Sequence, residues 1–293
     1  MSEETAFEDL EFEEGVPAFE LGLDVAAEGG SYRTRNNPAA PRQRTNITER
    51  PGAIDIRCFG ADVVHGYLKA GEDAATLIVY EFQFDVRRRA RRILTVDVEF
   101  RYAAADSTRP QPEVLAIAPF KRMTLEPTTQ SETVTKGGEA KAGGNVMGAE
   151  LGGTWKWEKA VTQQTHDATA ILGFIDLKGR SYGASNAVSW TLLQNESMQT
   201  GVPSHVRTAV LLKRADDGEF SSTFKIKAKV DLVSAMGRLL SGATPDDDPI
   251  LYDPSLPPTN KLRTYDTDNL GDVNLLELST AAFSNNPAKP VWS

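Results

Sequence analysis

The sequence predicts an all-β protein with an antiparallel β-sandwich-like core, and three observations predict it. Apolar residues alternate with polar ones at a period of two through the middle of the chain. Gly, Pro, Asn and Asp punctuate the alternating runs, and sustained helical periodicity is nearly absent. Successive side chains of a strand point to opposite faces, so such runs describe strands with one face buried.

The clearest run holds Ile78, Tyr80, Phe82, Phe84 and Val86 on one side and Glu81, Gln83 and Asp85 on the other. Leu94, Val96, Val98, Phe100 and Tyr102 repeat the pattern against Thr95, Asp97, Glu99 and Arg101. The short basic connection between these runs predicts an antiparallel hairpin. Further strands are expected at Ile54–Phe59, Val63–Leu68, Glu113–Ala118, Ala168–Leu177, Val188–Gln194, His205–Leu212 and Ser222–Val233. In the last, Phe224, Ile226, Ala228, Val230 and Leu232 oppose Lys225, Lys227, Lys229 and Asp231, which predicts a solvated sheet face. Two packed antiparallel sheets would satisfy these strands. One short helix is expected at Val233–Leu240.

Charge and composition divide the chain into three parts. Residues 1–28 carry ten acids and no Lys or Arg, whereas Arg33, Arg35, Arg42, Arg44 and Arg50 follow against Glu49 alone. Residues 1–51 therefore read as a disordered tail, acidic then basic. Phe7, Leu10, Phe12, Val16, Phe19, Leu21 and Leu23 are spaced through the acids, so a partner's apolar groove could also order this stretch. Residues 52–241 form the expected β-sandwich-like domain. Pro245, Pro249, Pro254, Pro257 and Pro258 mark residues 242–293 as an extended, Pro-rich C-terminal arm, pinned locally by Leu275, Leu276 and Leu278.

Several function classes find no support in the residues. No apolar run approaches the roughly 20 residues of a spanning helix. The acidic start does not match a secretory signal, which predicts a cytoplasmic protein. The lone Cys58 excludes an internal disulfide and a zinc site of several thiolates. His65, His166 and His205 each stand alone, and the expected roles are structural rather than catalytic or metal-binding. Gly137–Gly144 lacks the Gly-Lys-Ser/Thr ending of a phosphate loop, and Asp246–Asp248 lacks the ligand spacing of a calcium loop. No catalytic residue, metal or cofactor is predicted.

The candidate interaction residues are Arg87, Arg88, Arg89, Arg91 and Arg92, with Trp155 and Trp157. The arginines sit at the expected hairpin tip, where they suit an acidic partner, phosphates or the chain's own acidic segment. A nucleic-acid partner is not expected at a pI near 5.0 without a recognised module. The two tryptophans end a stretch, residues 133–159, rich in Gly, Ala and Thr. Its bland reading is an exposed edge hairpin. Its sharper reading is an amphipathic membrane hairpin with Gly138, Ala140, Ala142, Gly144, Val146 and Gly148 on one face.

A resemblance adds a setting. The stretches Asp73–Phe82, Trp190–Asn195, Gly201–Ser204, Arg207–Leu212 and Asp247–Pro254 resemble a family of uncharacterised fungal β-rich intracellular proteins, over residues 50–255. The resemblance implies a fungal intracellular setting and carries no activity or site. The function expected from all this is a non-enzymatic protein-interaction module with an unidentified protein partner. The alternatives are a membrane-active, pore-forming β-protein using residues 133–159, and an enzyme whose site is assembled from distant loops.

Overall fold

The computed structural model describes residues 18–21, 33–51, 54–86, 92–127, 155–159, 168–231 and 246–283, with the backbone alone at 18–21, 126–127, 155–159 and 231. Its strands are β1 (Ala18–Leu21), β2 (Asn46–Arg50), β3 (Ile54–Tyr67), β4 (Ala74–Val86), β5 (Ile93–Ala104), β6 (Glu113–Ala118), β7 (Lys121–Pro127), β8 (Trp155–Lys159), β9 (Thr169–Asp176), β10 (Ala187–Leu193), β11 (His205–Arg214), β12 (Phe220–Asp231), β13 (Ile250–Tyr252) and β14 (Thr280–Ala282). A 3-10 turn at Leu270–Asp272 and one α-helical turn, α1 (Leu275–Leu278), complete the described residues. The expected helix at Val233–Leu240 lies outside them.

Two antiparallel sheets pack together, as the alternation predicts. The front sheet runs β12-β5-β10-β9-β7-β8, and the back sheet runs β14-β11-β4-β3-β2. The pairing of β8 with β14 continues the hydrogen-bonded path from one into the other. The edge of β11 opposite β4 is shared by β14 and β6.

The expected hairpin of β4 with β5 does not form. β4 pairs with β3 and β11, whereas β5 pairs with β10 and β12. The two strands instead face each other across the core, where Tyr80 stacks on Phe100 with centroids 3.9 Å apart. Alternation states that each strand has an apolar face, and facing another sheet satisfies it as fully as pairing within one.

The core between the sheets contains Phe82, Val98, Trp190, Phe220 and Val210. Its buried hydroxyls satisfy one another: Tyr80 Oη lies 3.0 Å from Tyr102 Oη and 3.1 Å from Tyr252 Oη, which lies 3.1 Å from Ser222 Oγ. Pairing removes the penalty that an isolated buried hydroxyl would carry. Trp190 Nε1 donates to the carbonyl of Pro119 at 3.0 Å. A Cβ on Gly173 would stand 2.0 Å from that same oxygen, so the close approach requires glycine.

Residues 33–51 and 246–283, the described parts of the two flanking segments, pair and pack with the body. The structure differs from the boundary at 51, because Asn46–Arg50 pairs with β3 and residues 33–44 bind the segment after 245. Asp247 accepts from the Thr34 amide at 2.7 Å and from Arg50 at 2.9 Å, while Arg44 donates to the Asp248 carbonyl at 2.6 Å. The five arginines and Asp246–Asp248 thus include complementary anchors, a relation invisible along the sequence.

The described part of the C-terminal arm, residues 246–283, packs onto the body. Ile250–Tyr252 adds to β12, residues 259–278 cover the outer face of the back sheet, and Thr280–Ala282 joins that sheet as β14. Val64, Leu77, Val79, Ala209 and Leu211 pack there with Tyr265, Leu270, Leu275 and Leu278. Asp62 anchors this strap, accepting from Lys261 N at 2.6 Å and from Tyr265 Oη at 2.8 Å. Ala75, Leu77 and Val79 of β4 are apolar for this reason, and the back sheet is buried on both faces beneath the strap.

Candidate interaction surface

The outer face of the front sheet stays open because its register puts polar residues there. Across the strands, Lys225 opposes Glu99, Glu99 opposes Ser189, and Ser189 opposes Phe174. One row along, Lys227, Asp97, Thr191, Leu172 and Arg122 follow in the same way. The acids already hold partners: Asp97 accepts from Thr191 Oγ1 at 2.6 Å, and Glu99 lies 3.5 Å from Lys178 Nζ. Arg101, Lys225, Lys229, Lys121 and Arg122 are exposed on or beside this face. It is basic in a chain of net charge -9.

Beyond β12, the last long strand of this sheet, only the short β1 and β13 pair among the described residues. One side of β12 pairs with β5 throughout, and the other takes β13 at 220–222 and β1 at 228–231. Among the described residues, no strand pairs with that side between Thr223 and Lys227. There Thr223, Lys225 and Lys227 are exposed, while Phe224 and Ile226 are half-buried against the core. A sheet edge presents main-chain donors and acceptors that template another extended chain. β1 shows such an addition, with Glu20 at the register position opposite Lys229.

Of the residues singled out in the sequence, Arg92, Trp155 and Trp157 are described. Arg87, Arg88, Arg89 and Arg91 lie outside the described residues. Arg92 is half-buried at the start of β5, with its Cβ against Gly201, rather than at an exposed tip. Trp155 and Trp157 occupy β8, opposite Pro127 and Leu125, and Trp155 also opposes Ala281. Strand order separates them from β5 by β7, β9 and β10. The Gly-rich part of residues 133–159 lies outside the described residues, but its flanks, β7 and β8, pair antiparallel.

The other chemical groups are held structurally. His65 is buried with Nδ1 2.9 Å from Thr76 Oγ1 and Nε2 2.6 Å from the Gln43 amide nitrogen. Burial first, then the charge of Arg214, lowers its pKa to about 4, which keeps the ring neutral. His205 Nε2 lies 2.8 Å from Glu81 Oε1, and this bond is the largest cause holding the Glu81 carboxyl below its usual range. His166 is outside the described residues. Burial pushes the Cys58 thiol well up, away from the reactive thiolate. Among the described residues no three His, Cys, Asp or Glu side chains gather at metal-binding distance.

A shallow cleft lies between the β5–β6 and β11–β12 loops. Arg109 and Asp216 line it at 3.6 Å from one another, and Arg214 beside them reaches Asp217 at 3.2 Å. Its charges serve each other. Sequence reasoning missed β1 because acidic residues dominate its surroundings, yet Phe19 and Leu21 alternate there with Glu20 and supplied the signal.

No protein-family model matches the chain, and no curated protein matches it.

Proposed function

We propose that this chain is a non-enzymatic protein-interaction module that receives an extended acidic segment of a partner on the edge of β12. The observation that carries the reading is the antiparallel pairing of Ala18–Leu21 with Asp231–Ala228. An acidic segment of this chain thus adds as a strand to an edge whose solvent face bears Lys225, Lys227 and Lys229. In such recognition the main-chain bonds supply affinity and alternate side chains supply choice of partner. The lysines favour acids at every second position of the incoming strand and speed encounter at low salt.

A cytoplasmic setting belongs to the same proposal, supported by a composition that requires no disulfide. The fungal setting rests on the resemblance alone. A second reading, a membrane-active β-protein, is supported by the antiparallel pairing of β7 with β8, Pro127 opposite Trp155, on either side of residues 128–154.

The test is fluorescence anisotropy of a labelled peptide of residues 13–28 titrated with the full chain, together with hydrogen exchange. Binding should protect amides at 223–227. Changing Lys225 and Lys227 to Glu should weaken it at least about tenfold, as two lost charge contacts imply. Binding that leaves those amides unprotected, or that ignores the charge reversal, refutes the proposal.

A further inference from the structure

The front sheet carries a second feature, at the opposite side from the β12 edge. Phe120 and Phe174 are 46% and 45% exposed, the one just before β7 and the other in β9. Lys121 opposes Gly173 in the β7–β9 register, so the two phenylalanines flank the same paired position. Solvent-exposed Phe on neighbouring strands of an otherwise polar face calls for an occupant.

Their exposure is built in. The Pro119 carbonyl is drawn toward β10 by Trp190 Nε1 and seated in the space that Gly173 leaves open. Lys121 takes a left-handed φ of 59°, and its ammonium stands 5.5 Å from the Phe120 ring centroid. Phe174 follows by alternation, since its neighbour Ile175 packs against the core. Lys121 and Arg122, both exposed, continue the chain directly from Phe120. The patch therefore joins two outward aromatic rings to two cations on a sheet face.

We propose that Phe120 and Phe174, framed by Lys121 and Arg122, form a peripheral docking patch for an anionic lipid surface. Rings enter the boundary between headgroups and acyl chains, while the cations meet anionic headgroups. Charge complementarity with the basic sheet face selects this occupant. The patch needs neither the β12 edge nor the insertion of any segment. It lies three to four strand spacings, or roughly 14–19 Å, from β12, so each surface can be removed without the other.

Flotation of the full chain with phosphatidylcholine vesicles, with and without phosphatidylserine, tests the inference. Wild type should float with the anionic vesicles only and release no trapped dye. Phe120→Ser with Phe174→Ser should weaken partitioning by about a hundredfold, at about tenfold for each ring removed from the interface. Lys121→Asn with Arg122→Gln should weaken it about thirtyfold, and Asn tolerates the left-handed φ at 121. Both variants are to melt cooperatively; if the first does not, Arg122→Glu alone, at an exposed position, must still reduce flotation. Absence of wild-type flotation, or equal flotation by folded variants, overturns the proposal. Binding to soluble polyglutamate without binding to vesicles assigns the patch to an acidic protein and overturns it as well.

Discussion

Replacing Asp62 by Ala should detach the C-terminal strap and destabilise the whole sandwich. The carboxylate is fully buried and accepts from the Lys261 and Leu262 amides at 2.6 and 3.3 Å and from Tyr265 Oη at 2.8 Å. That bond to the carboxylate also raises the Tyr265 phenol, after burial, so the hydroxyl remains a donor. Thr259 Oγ1 donates as well, at 3.4 Å, so removing the acceptor leaves two amides and two hydroxyls to find other partners. Hydrogen bonds to a charged group contribute about 1.5–3 kcal/mol each, and partial rehydration of an outer strap returns part of that, so a loss of about 3–5 kcal/mol is expected. Urea unfolding at pH 7 measures it, and brief trypsin treatment should cut first at Lys261 or Arg263. A variant within about 0.5 kcal/mol of wild type, with an uncut strap, would refute the anchoring role.

Further outcomes follow from the core. Phe82→Asp or Val98→Asp should abolish cooperative melting, since each buries an unpaired charge at a cost of several kcal/mol, roughly 4 or more; a retained sharp transition contradicts the placement. Gly173→Ala should cost about 2–3 kcal/mol and shift Trp190 fluorescence, because its Cβ would stand 2.0 Å from the Pro119 oxygen; an unchanged spectrum and midpoint contradict that contact. His65 has a folded pKa lowered to about 4 against an ordinary 6.5, so the unfolded chain binds the extra proton between these values. Stability should therefore rise as pH increases from 4 to 6.5, by an order of magnitude of about 3 kcal/mol, and flatten in His65→Gln; an equal slope in both proteins excludes His65 as its source.

The strands were legible because their signal is local. Ile78 to Val86 and Phe224 to Val230 reveal their faces within ten residues or so, and a period of two is a property of any pleated chain. The solvated lysine face of β12 was legible on the same ground. The arms were not. The Arg33–Arg50 stretch reads as a basic tail until Asp247 and Asp248 stand beside it, some two hundred positions later. Phe120 and Phe174 are also silent in sequence, since an outward phenylalanine differs from an inward one only through the turn at Pro119 and the strand beside it.

The sequence by itself determined that this chain builds packed antiparallel strands, where most of them run, and which sides are wet. The tertiary structure decided that β4 and β5 face rather than pair, that residues 33–50 and 246–283 belong to the body, and that β12 takes β13 and β1 on the side away from β5. The reason is physical. Alternation follows from covalent geometry at each residue, whereas strand partners, edges and buried anchors such as Asp62 follow from contacts between residues far apart in the chain, which compete for the same main-chain groups.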